Sequence, residues 1–329
     1  MINRDRKIKR VAEERRAMSN RTSLGHLLAL CTIFIWGTTF ISTKLILREL
    51  SPVAIFYIRF AIGWLCLLAL RPRALRFGAL RQELHCAGLG LSGVTLYFLT
   101  ENVALQYTQA ANAGLLVSAS PILTTLLAHL FTRDEKLSRR LAAGFGLAFG
   151  GVFLVIFNGK LVFRLNPLGD CLALAAALFW AVYSILLKRI PADRDSLAVT
   201  CKTFFYGLLT ALPALLIFPD GFKLVRPLTG LTVANLLFLG LCASLLCFVM
   251  WNKAVGIIGV VKTSNYIYLV PLIAMVTSVL VLHERINGPM LLGACLILGG
   301  IFIAERGAGG LALNKPKTGA SIREWRKNQ

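Results

Sequence analysis

Six ionisable side chains stand inside long apolar stretches of the chain: Lys44, Arg59, Glu101, Lys202, Lys253 and Lys262. A charge at the centre of a membrane helix costs about 2.5–3.5 kcal/mol on insertion scales, so such groups face a cavity or a partner, or reach water from a helix end. Lys44, Lys202 and Lys253 lie near the ends of their stretches, where a long stem carries the ammonium to the interface. Arg59 and Glu101 fall at similar depth on consecutive stretches, as a structural ion pair or as two contacts for a substrate. Gly90, Gly93, Tyr97 and Glu101 share one helical face, small at one end and polar at the other, which could leave room for a ligand. Lys262, Asn265, Tyr266 and Leu269 form a similar face further along, and Asn112 occupies the position in an earlier stretch that Lys262 occupies in this one. Trp36, Trp180 and Tyr183 present apolar surfaces with a polar handle, suited to line a cavity or to sit at a lipid interface. Trp36, Tyr97, Trp180, Lys262 and Tyr266 are expected to border one central cavity. Pro121 and Pro271 each remove a backbone donor near the middle of a stretch, and so act as hinges, as static kinks, or as breaks that aim polar backbone inward.

Bond-making chemistry has no comparable foundation. The run from Gly256 to Thr263 lacks the glycine that must directly precede a phosphate-loop lysine, His283-Glu284 lacks a second zinc histidine, and no G-x-S-x-G elbow occurs. The in-span carboxylates Glu101 and Asp170 are scattered, where an intramembrane enzyme needs convergent groups in one layer. Eight cysteines fall almost entirely within apolar stretches and form no metal-type spacing. No metal and no cofactor is expected, and no nucleotide motif points to ATP-driven pumping.

The elements that must position these residues are membrane helices. The sequence is 57% hydrophobic with mean hydropathy +0.70, more apolar surface than one soluble core can hide. Apolar stretches near 25–47, 53–70, 86–106, 110–131, 141–158, 169–188, 197–218, 231–254, 258–282 and 289–305 each suit a helix crossing about 30 Å of hydrocarbon. The fold class is therefore an all-α integral membrane protein of ten transmembrane helices. A formal charge of +21 could suggest nucleic acid, but the basic residues cluster in tails and breaks beside the apolar spans. With alternating spans, 25 Lys and Arg fall on one side, and only Arg48, Lys160, Arg164, Lys223, Arg226 and Arg285 on the other. The positive-inside rule then puts both termini in the cytoplasm.

The chain is also duplicated. Gly25-His26-Leu27-Leu28-Ala29-Leu30, followed by Trp36 and Lys44, returns 144 residues later as Gly169-Asp170-Cys171-Leu172-Ala173-Leu174, followed by Trp180 and Lys188. Asn102, Ala104 and Pro121 match Asn252, Ala254 and Pro271 at an offset of 150, and Glu135, Gly144, Gly150, Gly151 and Phe153 match Glu284, Gly293, Gly299, Gly300 and Phe302 after a one-residue slip. Five spans make one repeat, and five is odd, so the copies enter the membrane from opposite sides as two inverted five-helix repeats. The glycine pairs at 150–151 and 299–300 suit close helix packing. The expected units are a basic tail at 1–24, repeats at 25–158 and 169–305, and a basic tail at 306–329.

These residues resemble the drug/metabolite transporter superfamily, in its EamA branch. Trp36-Gly37-Thr38-Thr39-Phe40 is similar to that family's W-G-x-x-F signature, with Phe179-Trp180-Ala181-Val182-Tyr183 as the second copy. Ser51-Pro52 followed by Arg59 resembles its second-span pattern, and Pro121 with Glu135, like Pro271 with Glu284, resembles its later spans. Ala181 stands where a glycine is expected and Thr203 where repeat one has Arg59, departures that argue against a symmetric site. The resemblance implies two inverted bundles around a cavity and export of amino acids or related small metabolites from the inner (plasma) membrane. The expected function is a secondary transporter working by alternating access, with a small-molecule metabolite and the lipid bilayer as partners and no nucleic acid; a homodimer is left open. The alternative is an intramembrane enzyme or flippase-like lipid-handling protein; a passive channel would need a continuous polar stripe, which the spans lack.

Overall fold

A computed structural model describes residues 2–75, 78–108, 110–131, 138–157, 167–191, 194–217, 227–273, 276–277 and 288–309. Glu135, Glu284 and the tail beyond 309 lie outside these residues, as do the side chains of Lys44 and Asn112. The described residues contain helices and no strand. They are α1 (Ile2–Ile46), α2 (Pro52–Leu70), α3 (Leu80–Gly90), α4 (Tyr97–Tyr107), α5 (Ala110–Val117), α6 (Ser120–Phe131), α7 (Arg139–Phe157), α8 (Pro167–Lys188), α9 (Ser196–Thr210), α10 (Leu212–Ile217), α11 (Gly230–Leu237), α12 (Cys247–Ile258), α13 (Val260–Asn265) and α14 (Gly288–Gly309). Among the described residues, five segments are long and apolar enough to span a membrane by length and composition: Asn20–Thr43, Pro52–Leu70, Pro167–Lys188, Ser196–Ile217 and Gly230–Ile258.

Local chemistry sets several boundaries. Ser51 caps α2 by accepting the Ala54 amide at 3.1 Å, and Pro52, lacking a donor, opens the helix where none is needed. Asp195 caps α9 through the Leu197 amide. Gly259, with φ at +89°, gives the turn that ends α12 and begins α13, a backbone state that a side chain would strain. Wide π-helical turns join α3 to α4 at Leu91–Leu96 and α11 to α12 at Phe238–Leu246. Both sit at matching repeat positions.

The same contacts occur twice. A Cβ on Gly90 would lie 2.7 Å from the Thr203 carbonyl oxygen, and one on Gly240 would lie 3.1 Å from that of Arg59. Gly25 abuts Ile257 and Ile258, as Gly169 abuts Tyr107 and Thr108. Each of these pairs is related by the offsets of 144 and 150 seen in the sequence, so the α3–α4 segment packs on α8 and α9, while the α11–α12 segment packs on α1 and α2. The repeats thus exchange one helix each. The helices α7 and α14 also approach closely, with Cβ positions on Gly144, Gly151 and Gly300 all falling 2.5–2.6 Å from backbone atoms of the facing helix. Many leucines and phenylalanines outside these contacts, Leu27, Phe34, Leu65 and Leu216 among them, are exposed on the perimeter.

Candidate functional site

Two helix breaks and two tryptophans define the site. The chain leaves α5 at Val117, turns, and resumes as α6 with Pro121 in its first turn. In the second copy α13 tightens into a 3-10 turn at Tyr266–Leu269, and helix resumes over 270–273 with Pro271 in the same place. Pro121 leaves the Val117 carbonyl without its helical donor, and Ser120 Oγ donates to it at 2.5 Å, while Ser118 Oγ and Thr125 Oγ1 donate to Gly114 and Pro121. Both breaks face one cavity, lined by Trp36, Thr39, Arg59, Tyr97, Phe98, Glu101, Gly114, Val117, Ser118, Ser120, Trp180, Ile267 and Val270. About 50 Å³ of it is open to the centre of a water molecule, room for a few waters.

The cavity wall carries four aromatic rings, Trp36, Tyr97, Phe98 and Trp180, with two side chains of opposite charge. Trp36 and Trp180, at equivalent repeat positions, meet edge to face with centroids 5.1 Å apart, and Tyr97 lies 5.0 Å from Trp180. The Trp36 indole donates to the Ala243 carbonyl at 2.9 Å, which fixes its ring. Arg59 is 3% exposed; its Nε donates to Ser244 Oγ at 2.9 Å and its guanidinium sits 4.5 Å from the Phe98 centroid, a cation–π contact. Glu101 accepts a hydrogen bond from the Tyr97 hydroxyl at 3.1 Å. Among the described residues, ion pairs closer than 4 Å join Arg71 to Asp195 and Lys202 to Glu83. Arg59 and Glu101 therefore share the cavity without closing on each other. Such an arrangement can bind a small molecule that carries an apolar body and complementary charges.

The remaining sequence candidates lie elsewhere. Tyr183 is fully buried behind Trp180, 5.0 Å away, and donates to Asn252 Oδ1 at 2.6 Å. Tyr266 bonds through its hydroxyl to His26 Nδ1 at 2.6 Å, Asn265 is fully buried, and Lys262 is half-buried; none of the three lines the cavity. Lys262 and Asn265 lie on α13 ahead of the 3-10 turn, and Ile267 and Val270, three residues apart and so eclipsed at the end of that turn, are the residues that face the cavity. The room expected at Gly90 and Gly93 is also filled. A Cβ on Gly90 would meet the backbone of α9, and one on Gly93 the ring of Tyr183. Sequence reasoning missed Thr39, Phe98, Ser118, Ser120, Ile267 and Val270; only Ser118 and Ser120, two hydroxyls just before Pro121, left a signal.

The fold and this cavity define a multi-pass membrane transporter. Residues 23–157 and 167–305 each match the model of the EamA-like transporter family, and the chain belongs to it. An uncharacterised transporter of Archaeoglobus fulgidus is 31% identical over 84% of this chain and 96% of its own length. A protein of Escherichia coli named a probable amino-acid metabolite efflux pump is 27% identical over 84% of this chain and 93% of its own. A solved crystal structure superposes with a TM-score of 0.71 at 22% identity, over 87% of this chain and 98% of the other, so the fold is shared. The protein is a transporter and not an enzyme.

Proposed function

We propose that this transporter is a secondary exporter of the inner (plasma) membrane, moving amino acids or related small metabolites by alternating access between two inverted repeats of five spans. The observation that carries the reading is the cavity: Arg59 and Glu101, both buried and out of ion-pair contact, stand among Trp36, Tyr97 and Trp180. An amphipathic zwitterion complements that wall, with its ammonium on Glu101, its carboxylate on Arg59 and its apolar part against the rings. The printed names of relatives, among them amino-acid metabolite efflux pumps and a terminal-alkyne amino-acid exporter of Streptantibioticus cattleyicolor, support the same class.

The duplicated contacts support the inverted arrangement, because helices exchanged between copies let one repeat rock against the other around a central site. Breaks at Pro121 and Pro271 serve as its hinges, where few backbone bonds resist bending. The exposed leucines and phenylalanines of the perimeter meet lipid chains. Efflux of radiolabelled amino acids from reconstituted vesicles, with and without a proton gradient, tests the reading. Saturable efflux lost in Trp180→Ala is the expected result; wild-type vesicles that release no amino acid under either condition, or that scramble lipid instead, would overturn it.

A further inference from the structure

Two consecutive residues of the π-helical turn at Phe238–Leu246 hold two side chains of the central cavity. The Ala243 carbonyl accepts from the Trp36 indole at 2.9 Å, and the fully buried Ser244 hydroxyl accepts from Arg59 Nε at 2.9 Å. An arginine carries five N–H donors. With Nε on Ser244, the other four belong to the two terminal nitrogens, which can take a carboxylate side by side. The guanidinium is also held against two rings, its carbon 4.5 Å from the Phe98 centroid and 5.2 Å from that of Phe60. A long and otherwise flexible side chain is thereby set in place before a ligand arrives, which lowers what binding must spend on ordering it.

The first copy of this turn is built differently. At offsets of 150 and 144, Ser244 and Arg59 correspond to Val94 and Thr203, and Ala243 to Gly93. Val94 is pressed on Gly207, where a Cβ would lie 2.5 Å from it; Thr203 Oγ1 bonds back to the Val199 carbonyl of its own helix at 2.8 Å; the Tyr183 ring fills the space over Gly93. Polar contacts across the α3–α9 crossing fall instead on Glu83, Lys202 and Tyr206, whose counterparts across α11 and α2 are Val233, Ile58 and Ile62. A hydroxyl that merely packed two helices would suit either copy. One that stands beside the cavity arginine, and gives way to valine where the arginine gives way to threonine, is matched to that arginine. We propose that Ser244 is a positioning residue for anion recognition, its hydroxyl holding the Arg59 guanidinium so that the terminal nitrogens take the carboxylate of a solute in the central cavity. The exporter reading is what makes that solute a transported one; the effect of Ser244 on an anion at Arg59 stands apart from it.

The test is binding of sodium acetate to the purified full chain in phosphatidylcholine nanodiscs, with sodium chloride exchanged for it at constant ionic strength. Thermal unfolding is the readout, because a ligand that binds only the folded protein raises the midpoint in a saturable way. Ser244→Thr and Ser244→Val form a matched pair, alike in shape and different in the hydroxyl, so any overpacking falls on both. The expected result is a saturable rise in the wild type, absent in Arg59→Gln, with apparent affinity about tenfold weaker in Ser244→Ala and Ser244→Val and within about twofold of wild type in Ser244→Thr. A ligand-free midpoint that falls in Ser244→Ala while the affinity for acetate stays the same would show a packing role only and overturn the proposal. So would the absence of a saturable rise in the wild type, or an affinity as weak in Ser244→Thr as in Ser244→Val. Wild-type vesicles that export no amino acid, with acetate binding and its dependence on Ser244 intact, would count against the exporter reading and not against the role of Ser244.

Discussion

At the scale of single residues, Arg59 and Glu101 are each satisfied by a neutral neighbour, Ser244 and Tyr97, and not by each other. A tight structural pair would lose stability when either member is neutralised and regain it when both are. Here Glu101→Gln is expected to leave the unfolding midpoint near wild type while efflux falls about tenfold or more, and adding Arg59→Gln should not restore efflux. Recovery of stability in the double variant, measured by thermal unfolding, would show a structural pair instead. Glu83 and Lys202 make the contrast: Glu83 accepts from Lys202, from the Tyr206 hydroxyl at 2.8 Å and from the Gly78 amide at 2.8 Å, with both charged side chains largely buried. Lys202→Met should therefore cost about 3–5 kcal/mol, most of it regained with Glu83→Gln. Burial pushes the Glu83 carboxyl up, but the bonds from Lys202, Gly78 and Tyr206 outweigh it and hold the group below its ordinary 4.5. A depressed folded value means that its contribution is present above about pH 4.5 and is lost as the pH falls through the folded value, so the wild-type midpoint should drop in acid more steeply than that of Glu83→Gln. The buried charges of the cavity were legible in the sequence because charge is costly against lipid, and the two tryptophans because they recur at an offset of 144; Phe98, Ile267 and Val270 were not, since an apolar residue reads the same facing lipid, core or cavity.

At the scale of elements, the glycine pairs show what a sequence motif conveys and what it omits. The pattern announces close packing, and α7 and α14 do pack closely, but it does not tell which glycine of each pair faces the partner. Gly151 and Gly300 sit against backbone, whereas nothing lies within 4 Å of a Cβ on Gly150, and only a Leu147 methyl at 3.7 Å is near one on Gly299. Gly300→Val and Gly151→Val should each cost about 1–3 kcal/mol through overpacking, while Gly150→Ala and Gly299→Ala should be neutral or slightly stabilising. Unfolding midpoints of the four variants in one detergent check this, and equal loss in all four would show that α7 and α14 do not meet on that face. The π turns and the switch from α13 into a 3-10 turn were invisible in the sequence. Hydrophobic periodicity registers that a segment is helical but scarcely registers a change from 3.6 residues per turn lasting one or two turns. In the 3-10 turn it is Ile267, with Val270 three residues on, that lines the cavity, and not Tyr266.

At the scale of the whole molecule, loop contacts sort the bundle into two ends. Arg71 meets Asp195 and His26 meets Tyr266 toward one, where α1 begins; Glu49 meets Thr229 and Asp170 meets Thr108 toward the other, where α8 begins. That division supports the proposed inverted pairing, in which an odd number of crossings per repeat starts the two halves from opposite ends. The basic residues follow the same division, since the Arg71 and Asp195 loops belong to the side with 25 Lys and Arg and the Glu49 and Thr229 loops to the side with six. Short loops rich in Lys and Arg are generally retained in the cytoplasm during insertion, so we propose from the charge division that both termini are cytoplasmic. Reporter fusions after Gln329 and within 71–83 should both read as cytoplasmic, and one at Arg48–Glu49 as external. Each position tests a separate step: the Gln329 fusion depends on an even number of crossings, the 71–83 fusion on the first two spans, and the Arg48 fusion on the first alone. An external signal at Gln329 with the other two as expected would mean an odd crossing count, and the inverted pairing of the repeats would fall with it.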